Sequence, residues 1–320
     1  MRMKKKTLIL LLLSSVVFLL AFFALAGGRF LSPAVFWTGG HEDGLLLWGL
    51  RLPRVLAAFL VGGILAVGGL VFQSVFKNDL ASPFTLGIAS GASCGALLGL
   101  TLKIFFPGGT ALFAFVGALL SVLLVLTVAS RVPHGAVSTI LLAGIAVNFF
   151  FGAVILFLQY LSPAGDLSLS VRWMMGGIDV YGFHDLLILL PFYAFLALIA
   201  LFFARHMDIL RLGEELALGK GVHVKRTRHF LFIAVSLCIA GAVSLAGPIG
   251  FIGIIIPHVA KLFFPWGHRR LFFLTLAGGG LFLAFADTLA RTIFYPAELP
   301  VGILTAAAGV PFFLFKLIKR

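Results

Sequence analysis

Charge is what this sequence has least of. Only 11% of its 320 residues are Asp, Glu, Lys or Arg, against roughly a quarter in a soluble domain, so an ordinary water-facing surface cannot be assembled from it. Cysteine is scarce too. Cys94 and Cys238 both sit inside apolar runs, too few for a disulfide framework or a thiolate metal site, and read as packing thiols. No HExxH, no GxSxG and no cluster of carboxylates occurs, which removes the common hydrolytic constellations and leaves no expected catalytic, metal or cofactor residue. The stretch from Gly213 to Gly221 superficially suggests a phosphate loop. Its spacing is one residue too long, and Gly221 stands where Ser or Thr would hold magnesium, so the chain is not expected to bind ATP itself. There is no low-complexity linker and no polar stretch long enough for a soluble domain.

What is present is apolar sequence, 61% of the chain, in runs of roughly the 20 residues that cross a bilayer. Ten segments stand out, at 8–26, 55–76, 84–102, 111–130, 136–161, 186–204, 230–246, 249–264, 271–290 and 299–315. The expected class is an all-α membrane protein with about ten spans, one transmembrane domain over 1–320. Lys4, Lys5 and Lys6 ahead of the first run imitate a signal peptide. That run exceeds the roughly 7–15 apolar residues of a signal core and nine more follow, so a retained span is the better reading. The eighth run holds Pro257 and His258 between Pro248 and Pro265. A short or broken helix is expected there, shielded from lipid by protein.

An even number of spans puts both termini on one side. With that side cytoplasmic, and Lys261 left aside, 17 Lys and Arg fall inside against 6 outside, as the positive-inside rule requires. The net charge of +13 is therefore spread between apolar runs as a topology signal, and nucleic-acid binding is not expected. Trp37, Trp48, Trp173 and Trp266 fall near the expected interfaces, as an aromatic belt would place them. Gly62, Gly63, Gly68 and Gly69 in the second run, and Gly91, Gly95 and Gly99 in the third, read as close helix packing, with pore lining as the alternative.

Few polar residues interrupt the runs, so each is informative. Asp287 and Arg291, four apart, share a helix face and read equally as a functional pair or a structural ion pair. Arg51 and Arg54 flank Pro53 at the mouth of the second run. They could dock an anionic partner or simply snorkel to the interface. Asn148, Gln159 and Tyr160 in the fifth run could line a pathway or bond neighbouring helices.

Several segments in order carry a resemblance. They are Arg51-Leu52-Pro53-Arg54, Asn78-Asp79-Leu80-Ala81-Ser82-Pro83 leading to Leu86-Gly87-Ile88-Ala89-Ser90-Gly91, Trp173-Met174-Met175-Gly176-Gly177, and Leu212-Gly213-Glu214-Glu215. Gly247-Pro248-Ile249-Gly250-Phe251-Ile252-Gly253, Glu298-Leu299-Pro300-Val301-Gly302-Ile303 and Gly309-Val310-Pro311-Phe312-Phe313 complete the set. From about residue 48 onward the chain resembles the permease family of binding-protein-dependent ABC importers for siderophore-bound iron, haem and cobalamin, the type II importer fold.

The resemblance implies a homodimer of ten-helix permeases in the inner (plasma) membrane. Two ABC ATPase subunits, holding ATP and magnesium, would lie beneath, and one periplasmic or lipid-anchored binding protein above. It implies docking of that binding protein on Arg51, Arg54 and Arg291, so a double swap of Arg51 and Arg54 to Glu should weaken docking and leave the fold intact. It implies a cytoplasmic coupling loop at about 207–228, with Leu212, Gly213, Glu214, Glu215, Gly219 and Gly221 meeting the ATPase; Lys220 departs from the family's apolar residue there. It places Ser138 near a cytoplasmic gate and Asn148 on the pathway, and Lys261 where arginine is commoner. The cargo stays open among siderophore, haem, cobalamin and an oxyanion such as molybdate. A secondary transporter of a small polar solute is the alternative from another class, with only Asp287 as a membrane-embedded carboxylate; a membrane enzyme would need a polar cluster that is not visible.

Overall fold

The computed structural model describes residues 44, 46–102, 108–132, 137–263, 267–294 and 296–318. The expected first span at 8–26, the lysines before it, Arg29, Trp37 and Trp266 lie outside the described residues, as does the side chain of Ser138. Described residues form eleven α-helices and no strand. They are α1 (Leu52–Phe76), α2 (Ile88–Thr101), α3 (Gly109–Arg131), α4 (Val137–Leu161), α5 (Ala164–Met174), α6 (His184–Arg211), α7 (Glu214–Gly219), α8 (Val224–Ala246), α9 (Ile252–Phe263), α10 (His268–Thr292) and α11 (Val301–Ile318). Six helical segments are long and apolar enough to cross a membrane, and the apolar stretches of α2, α9 and α11 are shorter. Together they stand where nine of the ten runs were expected.

α1 is the axis. Every residue from Val61 to Phe76 is buried, because α10, α6, α8 and α9 pack around it. A helix enclosed on all sides needs no polar face. α2 lies against α3 and α4. Close approach is made by small residues: a Cβ on Gly91 would overlap the Gly117 carbonyl of α3, and one on Gly69 would overlap Gly253 of α9. The glycine runs are therefore packing surfaces. Apolar residues on the outer sides of α3, α4 and α6, such as Leu123, Leu142, Phe149, Phe157 and Phe202, are exposed, as lipid-facing or partner-facing residues would be.

Three details differ from expectation. Helical backbone begins well before residue 55, as a π-helical turn Leu46–Arg51 that runs into α1. Pro53 is tolerated where the π-helical turn passes into α1, since the regular i→i−4 ladder is already interrupted there. Arg51 and Arg54 thus lie on the helix rather than at a loop before it. α2 begins at Ile88 rather than 84, since Gly87 is left-handed (φ 83°) and the Ser82 backbone N–H is spent on Thr85 Oγ1 at 2.9 Å. The polar stretches after α4 and α6 contain the short helices α5 and α7. The proline-bounded eighth run is a helix of 12 residues, α9, with Pro257 inside. Gln73 Nε2 donates to Gly253 O at 2.9 Å, satisfying a carbonyl in its first turn without water.

Candidate functional site

Charged groups gather at the two ends of the apolar bundle. At the end where α1 begins, Asp287 of α10 is 1% exposed and sits between two arginines. Arg54 Nε donates to Asp287 Oδ2 at 3.1 Å and Nη2 to Oδ1 at 3.1 Å. Arg54 Nη1 donates to Glu298 Oε2 at 2.9 Å. Arg291 Nε stands 3.3 Å from Asp287 Oδ2, and its Nη2 is buried with no hydrogen-bond partner among the described residues. Two cations thus share the enclosed Asp287 carboxylate, and the half-exposed Glu298 adds a second negative charge on the Arg54 side. The i, i+4 pairing of Asp287 and Arg291 is present as an ion pair. Arg51 is also buried.

This burial corrects one expectation. Turning Arg54 into Glu would set a carboxylate against Asp287 and Glu298, so the double swap would not leave the fold intact. A cavity of about 530 Å³ opens beside this cluster, lined by Arg54, Arg172, Asp179, Asp185 and Glu298 among others.

The opposite end carries α7. Gly213 (φ 121°) and Gly221 (φ 79°) turn the chain on either side of it, in backbone conformations that suit glycine. Ala217 seats α7 on a small core of its own with Leu210, Val222 and Val224. Leu212, Leu216 and Leu218 point outward, each more than half exposed. Arg228 Nη2 donates to Glu214 Oε1 at 2.8 Å. The hydrogen bond from Arg228 and then its charge hold the Glu214 carboxyl below the usual glutamate range, against slight burial. A carboxylate with a depressed pKa stabilises above its ordinary pKa, near 4.3, and loses that contribution as pH falls through the lower folded value. The protection of the α7 amides, with exchange corrected for its intrinsic pH dependence, should therefore hold through the ordinary glutamate range and fall only as pH drops below it. In Glu214→Gln the lower protection should already be present at neutral pH, and the difference from the native protein should vanish once Glu214 is protonated.

Beside α7, Asp79 joins three elements. Lys261 Nζ of α9 donates to Gln73 Oε1 at 2.8 Å and to Asp79 Oδ1 at 3.2 Å, and Lys316 Nζ of α11 donates to Asp79 Oδ2 at 3.4 Å. Burial pushes the Asp79 carboxyl up, but the charges of Lys261 and Lys316 outweigh it and leave the group below its usual value. His268 and Asp208 also meet here, at 2.6 Å. Sequence reasoning missed both clusters. The partners lie 60 to 237 residues apart, and the visible clue was the polar pair Gln73-Ser74 in the last turn of an otherwise apolar run.

Asn148 accepts from Ser90 Oγ at 2.6 Å and donates from Nδ2 to Phe84 O at 2.6 Å. It thereby holds the turn ahead of α2, and it also borders an apolar groove with Gly152, Gln159 and Met174. Asn148→Ala should leave the Phe84 carbonyl with only the Gly87 N–H and cost about 0.5–1.5 kcal/mol, read as a lower thermal midpoint in detergent. Ser138 lies in the first turn of α4. The residues expected to form a coupling loop are brought together around α7; Arg54 and Arg291 are brought together around Asp287.

Comparison with known proteins decides the class. Residues 8–319 match the FecCD transport family. The chain belongs to the FecCD transport family. Among its FecCD-type relatives, a cobalamin import permease, BtuC, of Halobacterium salinarum is 39% identical over 85% of this chain and 73% of its own length. A hemin transport permease, HmuU, of Yersinia pestis is 36% identical over 92% of this chain and 90% of its own. A solved metal-chelate type ABC transporter in an inward-facing conformation superposes with a TM-score of 0.86 at 27% identity, covering 97% of this chain and 99% of that one. The helical bundle around α1 is thus the type II ABC importer permease fold. The chain is a membrane permease of an ABC importer.

Proposed function

We propose that this FecCD-family permease imports an iron chelate, haem or cobalamin, as a homodimer with two ABC ATPase subunits and one binding protein. The observation that carries the reading is α7: a short helix on its own small core, set between glycine turns, presenting exposed leucines to a partner. The names of the relatives support the cargo class. The excess of Lys and Arg supports an α7 end, and both termini, in the cytoplasm of a cell with this chain in its inner membrane.

In this reading ATP and magnesium stay on the ATPases and the permease makes no covalent bond. ATPase closure displaces α7, and the cavity between the two copies switches its opening from one side to the other. The docking face is the arginine end. Arg51, Arg54 and Arg291 form its charged floor, with Arg54 already held by two carboxylates of its own chain. Leu212, Gly213, Glu214, Glu215, Gly219 and Gly221 form the ATPase contact, and Ser138 and Asn148 belong to the gate and pathway. Cargo choice rests largely with the binding protein.

The test is uptake by the native complex in proteoliposomes, offered haem, a ferric hydroxamate siderophore or cyanocobalamin with its binding protein. ATP-dependent accumulation of one of them is expected. Uptake driven by an ion gradient without ATP would favour a secondary transporter. Against that alternative, its natural proton site is already engaged: Asp287 pairs with Arg54 and Arg291, and a proton there would leave two buried cations short of charge.

A further inference from the structure

His268, the first residue of α10, joins three helices at the α7 end. Its Nδ1 lies 2.6 Å from Asp208 Oδ1, its backbone N–H donates to the same oxygen at 3.0 Å, and its Nε2 lies 2.7 Å from Ser74 Oγ. An ionised carboxylate only accepts, so Nδ1 carries the hydrogen that faces Asp208 and Nε2 meets the serine hydroxyl. The imidazole is 1% exposed and Ser74 is buried. Ser74 Oγ donates to Leu70 O within α1, at 2.8 Å, or turns its single hydrogen to Nε2 when the ring is neutral.

The positions of the three residues matter as much as the bonds. Asp208 is in the last turn of α6, two residues before Leu210, which belongs to the small core under α7. Ser74 is in the last turn of α1, the buried axis of the bundle. The α7 core is a cluster separate from the main core, which takes in α6 only as far as Met207, so the last turn of α6, where Asp208 lies, is the place at which bending between the two cores would occur. A planar ring held at both nitrogens has no rotamer to spare and resists that bending.

We propose that His268 is the positioning residue that makes the α7 unit move as one body with α1 and α10. A push on α7 is then delivered to the two central helices instead of being absorbed in the last turns of α6. The inference rests on the reading of α7 as the ATPase contact, and adds the route by which the motion enters the membrane domain.

The test reads that rigidity directly. Nitroxide labels go on Leu218 of α7 and Phe273 of α10, both exposed. Labelled chains are diluted with unlabelled ones so that distances within one copy are measured by pulsed EPR, in the native complex with and without ATP. The native protein should show one narrow distance that ATP does not change. His268→Gln and Ser74→Ala should at least double the width and let the distance shift on ATP, while ATP hydrolysis per folded complex stays within twofold. A merely structural role would lower the yield of folded protein without widening the distribution in what remains. If His268→Gln fails to fold, Ser74→Ala decides, since it keeps the Asp208 pair. Widths equal to native in the folded variant overturn the link. Absence of any ATPase from the native complex instead overturns the functional reading, and the transmitted motion with it.

Discussion

Asp287→Asn is expected to be the most damaging single change of charge in this protein. The carboxylate is 1% exposed and is the shared partner of Arg54 and Arg291, whose side chains are 16% and 11% exposed. Removing it leaves two buried guanidinium groups facing one carboxylate, Glu298, which is 46% exposed. Breaking a buried ion pair from one side costs about 3–5 kcal/mol, most of it the uncompensated charge left behind. The same argument predicts a rescue. Adding Arg291→Met to Asp287→Asn removes the surplus cation and should recover about half of that loss or more, a strong non-additivity between neighbours. Unfolding of the purified permease in mixed micelles measures both. A loss under about 1 kcal/mol for Asp287→Asn, the size of a surface pair, would contradict the picture of an enclosed carboxylate shared by two arginines.

Gly69→Val should be the most damaging change of volume. Gly69 faces the backbone of Gly253, and a Cβ there would overlap its carbonyl. The obstacle is backbone, so no rotamer change relieves it. Overpacking in a core costs about 1–3 kcal/mol, and more where nothing can yield. Moving α9 away from α1 would also strain the Gln73 bond to Gly253 O and the Lys261 bond to Gln73, which tie α9 to the α7 end. Gly152 of α4 is the control, because a Cβ there meets nothing within 4 Å. Gly152→Val should keep close to native stability, whereas Gly69→Val should lose at least about 2 kcal/mol. Equal midpoints for the two would mean that α1 and α9 do not cross as closely as described.

The two clusters show where sequence reading reaches and where it stops. Apolar run length exposed nine helices, because crossing a bilayer is a constraint on composition over some 20 residues and leaves its mark in one stretch of chain. The i, i+4 spacing of Asp287 and Arg291 exposed half of the buried ion cluster. Its other half was invisible, since Arg54 reaches Asp287 and Glu298 across 233 and 244 residues, and no local pattern encodes a contact at that separation. The start of α1 was placed late because the expected segment was an apolar run, and Arg51 and Arg54 end that run while the helical backbone continues past them to Leu46. Asn148 was legible as an important polar residue but not as the holder of the Phe84–Gly87 turn, a contact between helices. The α7 residues came to notice through the resemblance carried by Leu212-Gly213-Glu214-Glu215; six helical residues are too few to announce themselves by periodicity.

The central claim is that α7 is where an ATPase engages this FecCD-family permease. It is tested most directly by a photo-crosslinking side chain at Leu218, 59% exposed on α7, activated in native membranes, with the captured protein identified by mass spectrometry. The account predicts capture of an ABC-type ATPase from Leu218 and none from the same group at Phe285, exposed on α10 toward the arginine end. Folded, membrane-inserted permease that captures no ATPase from Leu218 would contradict it.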